Sequence, residues 1–285
     1  MKLTIVGCSG SVPGPEAGCS CYLVEHDGFR LLLDLGSGSC GPLMRYAAPE
    51  SLDQVLISHA HGDHYADLVS LAYHRGRAQA VADAAHQPPI PRPVADAAHQ
   101  PPIPRPVADP AHQPPIPRPV ADAAHQPPIP RPLRLIGPSD LPAAIPWLTR
   151  ETGLYSFEPA VAGVTEAGPM RLRLARVEHG DMEVWAARVD DWLCYTADTG
   201  PGEAIDELAA GCRVLLAEAS GLDGDYPRGG HLTARTAGEL ATRSRARLLV
   251  ITHLRSWMDA DAILAEATRY AECPVVRALP GLTIA

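Results

Sequence analysis

The stretch Val55-Leu56-Ile57-Ser58-His59-Ala60-His61-Gly62-Asp63-His64 decides how the rest of this 285-residue chain is read. Its first four residues are a short apolar run of strand length, and the run ends on a cluster of three imidazoles and one carboxylate within six residues. Twelve histidines spread over the whole chain would not be expected to concentrate in this way. Imidazole nitrogens and carboxylate oxygens are good zinc ligands, and Gly62 is expected to let the chain turn tightly enough for neighbouring side chains to face one point. Four ligands in so short a segment cannot all serve one tetrahedral ion that keeps an open catalytic position. Two ions, each completed by residues from elsewhere in the chain, solve the difficulty.

Working outward, the same pattern recurs: an apolar strand that ends on a candidate ligand. His179 follows a strand over Leu172–Val177, Asp198 follows one over Trp192–Thr196, and His253 follows one over Leu248–Thr252. Further strands are predicted at Leu3–Val6, Cys21–Glu25, Phe29–Asp34, Leu133–Ile136, Val184–Val189, Val214–Ala217 and Val275–Ala278. Helical spacing predicts helices at Tyr65–His74, Asp140–Arg150, Glu203–Ala209, Thr233–Arg243 and Asp259–Ala271. A strand-rich first half giving way to strand–helix alternation fits sheets covered by helices, an α/β layered architecture.

Between Val81 and Pro132 the 13-residue unit VADAAHQPPIPRP runs four times without a gap, altered only by Pro110. This block holds 17 of the 30 prolines, and each copy carries one Asp and one Arg. It is too polar and proline-rich to stack into a repeat fold, and its PPIPRP segments favour extended polyproline II. A disordered surface loop is expected, with a docking arm for an aromatic-lined groove as the sharper alternative and its partner unknown. His86, His99, His112 and His125 recur without acidic or Cys partners and are not read as ligands. Residues 1–80 and 133–285 are expected to pack as one domain interrupted by this insertion.

Net charge is −9 and Lys2 is the only lysine, a balance that argues against a large nucleic-acid-binding surface. No apolar run is long enough to span a bilayer, and Met1–Gly14 lacks the pattern of a signal peptide. Seven cysteines form no C-x-x-C pair, which predicts reduced thiols and a cytoplasmic protein. Cys19 and Cys21 would share one strand face, so a metal role for them is weighed as a minor alternative.

The H-x-H-x-D-H run resembles the signature of the metallo-β-lactamase superfamily, most closely its ribonuclease Z and cyclic-nucleotide phosphodiesterase branch. Supporting segments are VGCSGS (6–11), SCYLVE (20–25), RLLLDLG (30–36), YTADT (195–199), LLAEAS (215–220), GHLTA (230–234) and ITHL (251–254). The resemblance covers the chain apart from Val81–Pro132 and implies an αββα four-layer sandwich with two mixed β-sheets. It implies that His59, His61 and His179 hold one divalent ion, that Asp63, His64 and His253 hold the second, and that Asp198 bridges both. Zinc suits these ligands, with manganese or iron as alternatives. Two such cations would acidify a shared water to hydroxide and polarise the bond under attack. Asp34 resembles a residue that orients a ligand histidine.

Glu218 and His231 match the pair this branch uses beside the leaving group, where His231 would protonate the departing oxygen; Asp63 joins them as a catalytic residue. The competing reading of His231 is a cap on the helix that begins near Thr233. Only 18 residues separate His179 from Asp198, where ribonuclease Z proteins commonly insert a long basic arm. The expected activity is therefore hydrolysis of a 3′,5′-cyclic nucleotide. Transfer-RNA 3′ processing, or a metal-binding scaffold without catalysis, are the alternatives. Expected partners are a small phosphodiester, transfer RNA on the alternative reading, and a second copy of the chain in a homodimer, with no membrane partner.

Overall fold

The computed structural model describes residues 1–85, 131–146, 148, 153–224 and 230–285. The chain opens with β1 (Lys2–Gly7), β2 (Cys21–His26), β3 (Phe29–Leu33), α1 (Cys40–Leu43), β4 (Gln54–Leu56), α2 (Gly62–Tyr65) and α3 (Leu68–Ala85). Next come β5 (Leu133–Gly137), α4 (Leu141–Ala144), β6 (Tyr155–Pro159), β7 (Gly163–Ala167), β8 (Met170–Val177), β9 (Val184–Val189) and β10 (Leu193–Tyr195). The chain closes with α5 (Glu203–Ala209), β11 (Val214–Glu218), α6 (Ala234–Ser244), β12 (Leu248–Thr252), α7 (Ala260–Tyr270), β13 (Val275–Arg277) and β14 (Thr283–Ile284).

The strands form two seven-stranded sheets, in the orders β14-β1-β2-β3-β4-β5-β6 and β13-β12-β11-β10-β9-β8-β7. Each is mixed: β1, β2 and β3 pair antiparallel and β3 to β6 parallel, whereas β7 to β10 pair antiparallel and β10 to β13 parallel. Strands β4 and β5 are parallel neighbours, Val55 opposite Leu135, although the repeat lies between them in sequence.

Alternation of side chains along a strand sorts the apolar residues into layers. Tyr22, Val24, Leu31 and Leu33 face the second sheet and pack with Leu172, Leu174 and Ala187. Their neighbours Cys21, Leu23 and Leu32 face the other way, against Leu43, Leu68 and Leu71 of α1 and α3. Behind the second sheet lie α5, α6 and α7, which contribute Ile205, Leu208, Ala237, Leu240 and Ile263 to the core. The layering is helix, sheet, sheet, helix, as expected.

Two helices depart from the sequence reading. The helix expected at Tyr65–His74 is split into α2 and a longer α3, which continues into the first repeat copy as far as Ala85. Val81–Ala85 is rich in the strong helix former alanine and precedes the first proline pair. The helix expected at Asp140–Arg150 covers only Leu141–Ala144, because Pro146 supplies no amide to continue it and disfavours helical geometry at Ile145. The far end of the repeat is tied to the body: buried Arg75 of α3 donates to the Arg131 carbonyl at 2.6 Å and to the Pro49 carbonyl at 3.1 Å. The character expected for the repeat itself falls on residues outside those described. No described helix is long and apolar enough to cross a membrane.

Candidate metal centre

Every predicted ligand lies at the end of a sheet strand or just beyond it, where a rigid scaffold fixes its position. His59 and the short helix α2 follow β4, His179 follows β8, Asp198 follows β10, and His253 follows β12. Three of the turns involved hold non-glycine residues in the left-handed region: Asp34 at φ 59°, Ala197 at 53° and His253 at 58°. Such residues cost about 1–3 kcal/mol each and persist where the surroundings enforce them, commonly at functional sites.

The ligand atoms fall into the sets anticipated. His59, His61 and His179 converge as one group, Asp63, His64 and His253 as a second, and His59, His64 and Asp198 as a third that joins them. His59 Nε2 lies 3.0 Å from His61 Nδ1, and His64 Nε2 lies 3.4 Å from His253 Nε2. Asp63 Oδ2 is 3.1 Å from His253 Nε2. One Asp198 carboxylate reaches both groups: Oδ1 is 3.4 Å from His64 Nε2, while Oδ2 is 3.3 Å from His253 Nε2 and 3.9 Å from His59 Nε2. Ligand atoms bound tetrahedrally at about 2.0–2.1 Å lie roughly 3.3 Å apart, so this spacing suits cations between them.

Second hydrogen bonds orient the rings of His64 and His179. Since a carboxylate or carbonyl oxygen only accepts, the contact of His64 Nδ1 with Asp34 Oδ2 at 2.7 Å places the proton on Nδ1. His179 Nδ1 likewise donates to the Gly230 carbonyl at 2.6 Å. Both rings then present Nε2 to the centre, as ligand histidines do. Asp34 is itself held by Tyr195 Oη at 2.6 Å and by the Ser58 amide at 2.6 Å. Asp63 accepts from the Ser11 amide at 2.7 Å.

The electrostatics fit a cation. Burial pulls His59, His61 and His179 below the ordinary imidazole range, which keeps them neutral and available as ligands. Burial also pulls on His64, but Asp198 and Asp34 outweigh it and hold that ring well above the ordinary range. A cation at His64 Nε2 would replace the proton there. Asp63 and Asp198 are lowered despite burial, Asp63 mainly through its His253 hydrogen bond and Asp198 through the charges of His253 and His64. The buried His/Asp cluster thus fits a binuclear metal site.

Beside it, Glu218 is buried and raised by that burial and by Asp198. It accepts from the Thr199 amide at 2.7 Å and from Ser220 Oγ at 2.6 Å, and it holds His231 Nδ1 at 2.8 Å. His231 is not the cap of α6. Thr233 is, its hydroxyl accepting from the Thr236 amide at 3.2 Å. His61, Asp63, His179, Asp198, His231 and His253 share one open cleft of about 450 Å³.

The chain turns at Gly62 as the single-turn helix α2, but the turn does not depend on glycine: its φ is not left-handed and an added Cβ would meet nothing. The site does require glycine at Gly36 and Gly10, where an added Cβ would collide with the backbone carbonyls of Asp63 and His253. Cys19 and Cys21 join no described ligand group, and burial raises both thiols, Cys19 to about 12. Ser58, Tyr195, Ser220 and the Ser11 amide went unrecognised, since a lone hydroxyl or backbone amide carries no sequence signal for its partner.

A family model described as "Metallo-beta-lactamase superfamily" matches residues 14–152, which contain the whole His59–His64 run. Over those residues the chain matches the metallo-β-lactamase superfamily. It is 29% identical over 301 residues to protein ML1173 of Mycobacterium leprae, covering 99% of this chain and 88% of that one. It is 27% identical over 306 residues to a ribonuclease Z of Haloarcula marismortui, covering 99% and 96%. The crystal structure of the metallo-β-lactamase fold protein YhfI from Bacillus subtilis superposes with a TM-score of 0.76 at 22% identity, covering 99% of this chain and 98% of that one. The fold and the buried ligand cluster support a metal-dependent hydrolase of this superfamily.

One consequence is directly measurable. Asp34→Asn keeps size and tolerates the left-handed backbone but removes the charge that orients His64. Metal affinity should fall by about 10–100-fold, the usual scale for such a partner, chiefly at the position served by His64. Competition with a chelator would read this, and unchanged affinity would show that Asp34 only packs.

Proposed function

We propose that the chain is a binuclear phosphodiesterase whose most favoured substrate is a 3′,5′-cyclic nucleotide. The observation that carries this reading is the Glu218–His231 pair at the edge of the ligand cluster. In the roles proposed, His59, His61 and His179 hold one ion, Asp63, His64 and His253 the other, and Asp198 both. When bound, two divalent cations supply Lewis acidity and an acidified water. Glu218 orients the His231 ring through Nδ1, so that Nε2 can deliver a proton to a departing alkoxide. A ribose alkoxide is a poor leaving group, and a positioned general acid aids its departure. The Ser11 amide keeps Asp63 in place while charge builds up in the cleft.

Support for a small substrate comes from the segment between His179 and Asp198, which holds little beyond β9 and β10. Net charge of −9 and a cleft of about 450 Å³ agree with it. A second reading, transfer-RNA processing, is favoured by the likeness to the haloarchaeal ribonuclease Z. Purified, metal-loaded protein should therefore be offered cyclic AMP, cyclic GMP and precursor transfer RNA in parallel. Turnover of a cyclic nucleotide is the expected result. Cleavage of precursor transfer RNA alone would replace the proposal with the second reading, and bound metal without turnover of any phosphodiester would make the chain a scaffold.

A further inference from the structure

A second cavity, of about 370 Å³, opens beside the metal cleft and is lined by Ser220, Leu222, Arg255, Trp257, Met258 and Ile263. Its wall towards the cleft is made by two hydrogen bonds. Arg255 Nε donates to Ser11 Oγ at 3.1 Å, and Ser220 Oγ lies 3.1 Å from His231 Nδ1. Ser11 and His231 line the metal cleft, so a molecule held there can extend past them into the second cavity without leaving the protein surface.

The chemistry of this cavity differs from that of the cleft. Trp257 is 65% exposed, although tryptophan is usually among the better covered side chains. It stands four residues after the ligand His253, on the loop that leads into α7, so the strand that positions the ligand also positions the indole. Met258 and Leu222 add polarisable and apolar surface. Arg255 is buried, with only 7% exposure, and supplies donors and no acceptors. Asp259, the one acid among the described residues that line this cavity, already accepts from the amides of Asp261 and Ala262 at the start of α7.

An indole face, a polarisable thioether and a donor-only cation suit a flat heterocycle with acceptor atoms on its edge. They do not suit a bare phosphate, which needs no π-surface. We infer that this cavity is the nucleobase subsite of a nucleotide substrate whose phosphate lies at the metal cleft, with Trp257 as the stacking face and Arg255 as the donor to the base edge. The inference rests on the phosphodiester reading for its substrate, but its binding test does not require turnover.

Three measurements on the full chain with metal bound decide it. First, adenosine 5′-monophosphate should quench the tryptophan emission of the wild type, whereas ribose 5-phosphate at the same concentration should not. Trp257 is one of four tryptophans, so Trp257→Phe isolates its contribution, and the quench should vanish in that variant. Second, Trp257→Ala should raise the KM for cyclic AMP about tenfold, the scale of one base stacked on one aromatic ring, with kcat within about twofold. Third, Trp257→Phe, which keeps an aromatic face, should restore most of the lost KM. Cyclic nucleotide turnover with an unchanged KM in Trp257→Ala, or equal effects of the nucleotide and the sugar phosphate on Trp257 emission, would overturn the subsite. If no phosphodiester is turned over but the nucleotide-specific quench of Trp257 persists, the hydrolase reading falls and the base subsite stands.

Discussion

Replacing Asp198 with alanine should empty both metal positions together. Its two oxygens lie 3.3–3.4 Å from His64 and His253 on one side, and Oδ2 lies 3.9 Å from His59 on the other. Every other ligand candidate serves one group only in the proposed roles. Losing the one shared anion also leaves six ligand groups, five of them imidazoles, converging with less negative charge to hold two cations. Elemental analysis of the wild type should give close to two transition-metal ions per chain, and the variant should fall well below one. Activity should drop by at least about 10²–10³, the loss seen when one preorganised electrostatic element is removed. If one ion remains with unchanged affinity, Asp198 does not bridge, and the two groups are independent sites.

The second large effect is expected at His231, and it should depend on the leaving group. With a cyclic nucleotide, whose leaving alkoxide is strongly basic, His231→Ala should lower the rate by roughly 10²–10⁴, the range for one general acid. With a nitrophenyl phosphodiester the leaving group needs no proton, and the loss should be much smaller. Metal content should be unchanged in the variant, because His231 is assigned to neither ion. That control matters, since His231 also falls within reach of ligand-like groups with Asp198 and His179, and with Glu218 and His253. Loss of metal in His231→Ala would make the ring a ligand. Equal rate losses on the two substrates with metal retained would remove it from the proton-donor role, and the phosphodiester proposal would lose its main support.

Sequence periodicity was most informative for strands buried on both faces. Strands β9 and β12 and helix α5 have the boundaries predicted from apolar runs and helical spacing. Strands β6 and β7 were not foreseen: they are the last strands of their sheets and largely exposed, YSFEP alternates over only four residues, and GVTEA carries neither an apolar run nor an alternation. Strand β14 has only two residues and exists because β1 offers it a partner. Helix length was misjudged at both ends of the repeat, where alanine extended α3 and proline shortened α4.

The ligand types, their order along the chain and their placement after apolar strands were written in the sequence, because backbone geometry and side-chain chemistry are local properties. So was the expectation of two ions, which followed from four candidate ligands crowded into six residues. Distance in space is not local. Only the packing of two sheets brings His253 within hydrogen-bond reach of Asp63, 190 positions earlier in the chain. The same packing sets the Tyr195 hydroxyl on Asp34, the Ser11 amide on Asp63 and the Glu218 carboxylate on His231. The Glu218–His231 pairing was suggested by the family resemblance, but a single tyrosine or serine has no pattern that announces its partner. Its role is decided when strands far apart in sequence become neighbours and water is excluded from between them, so that each buried polar group must find a partner there.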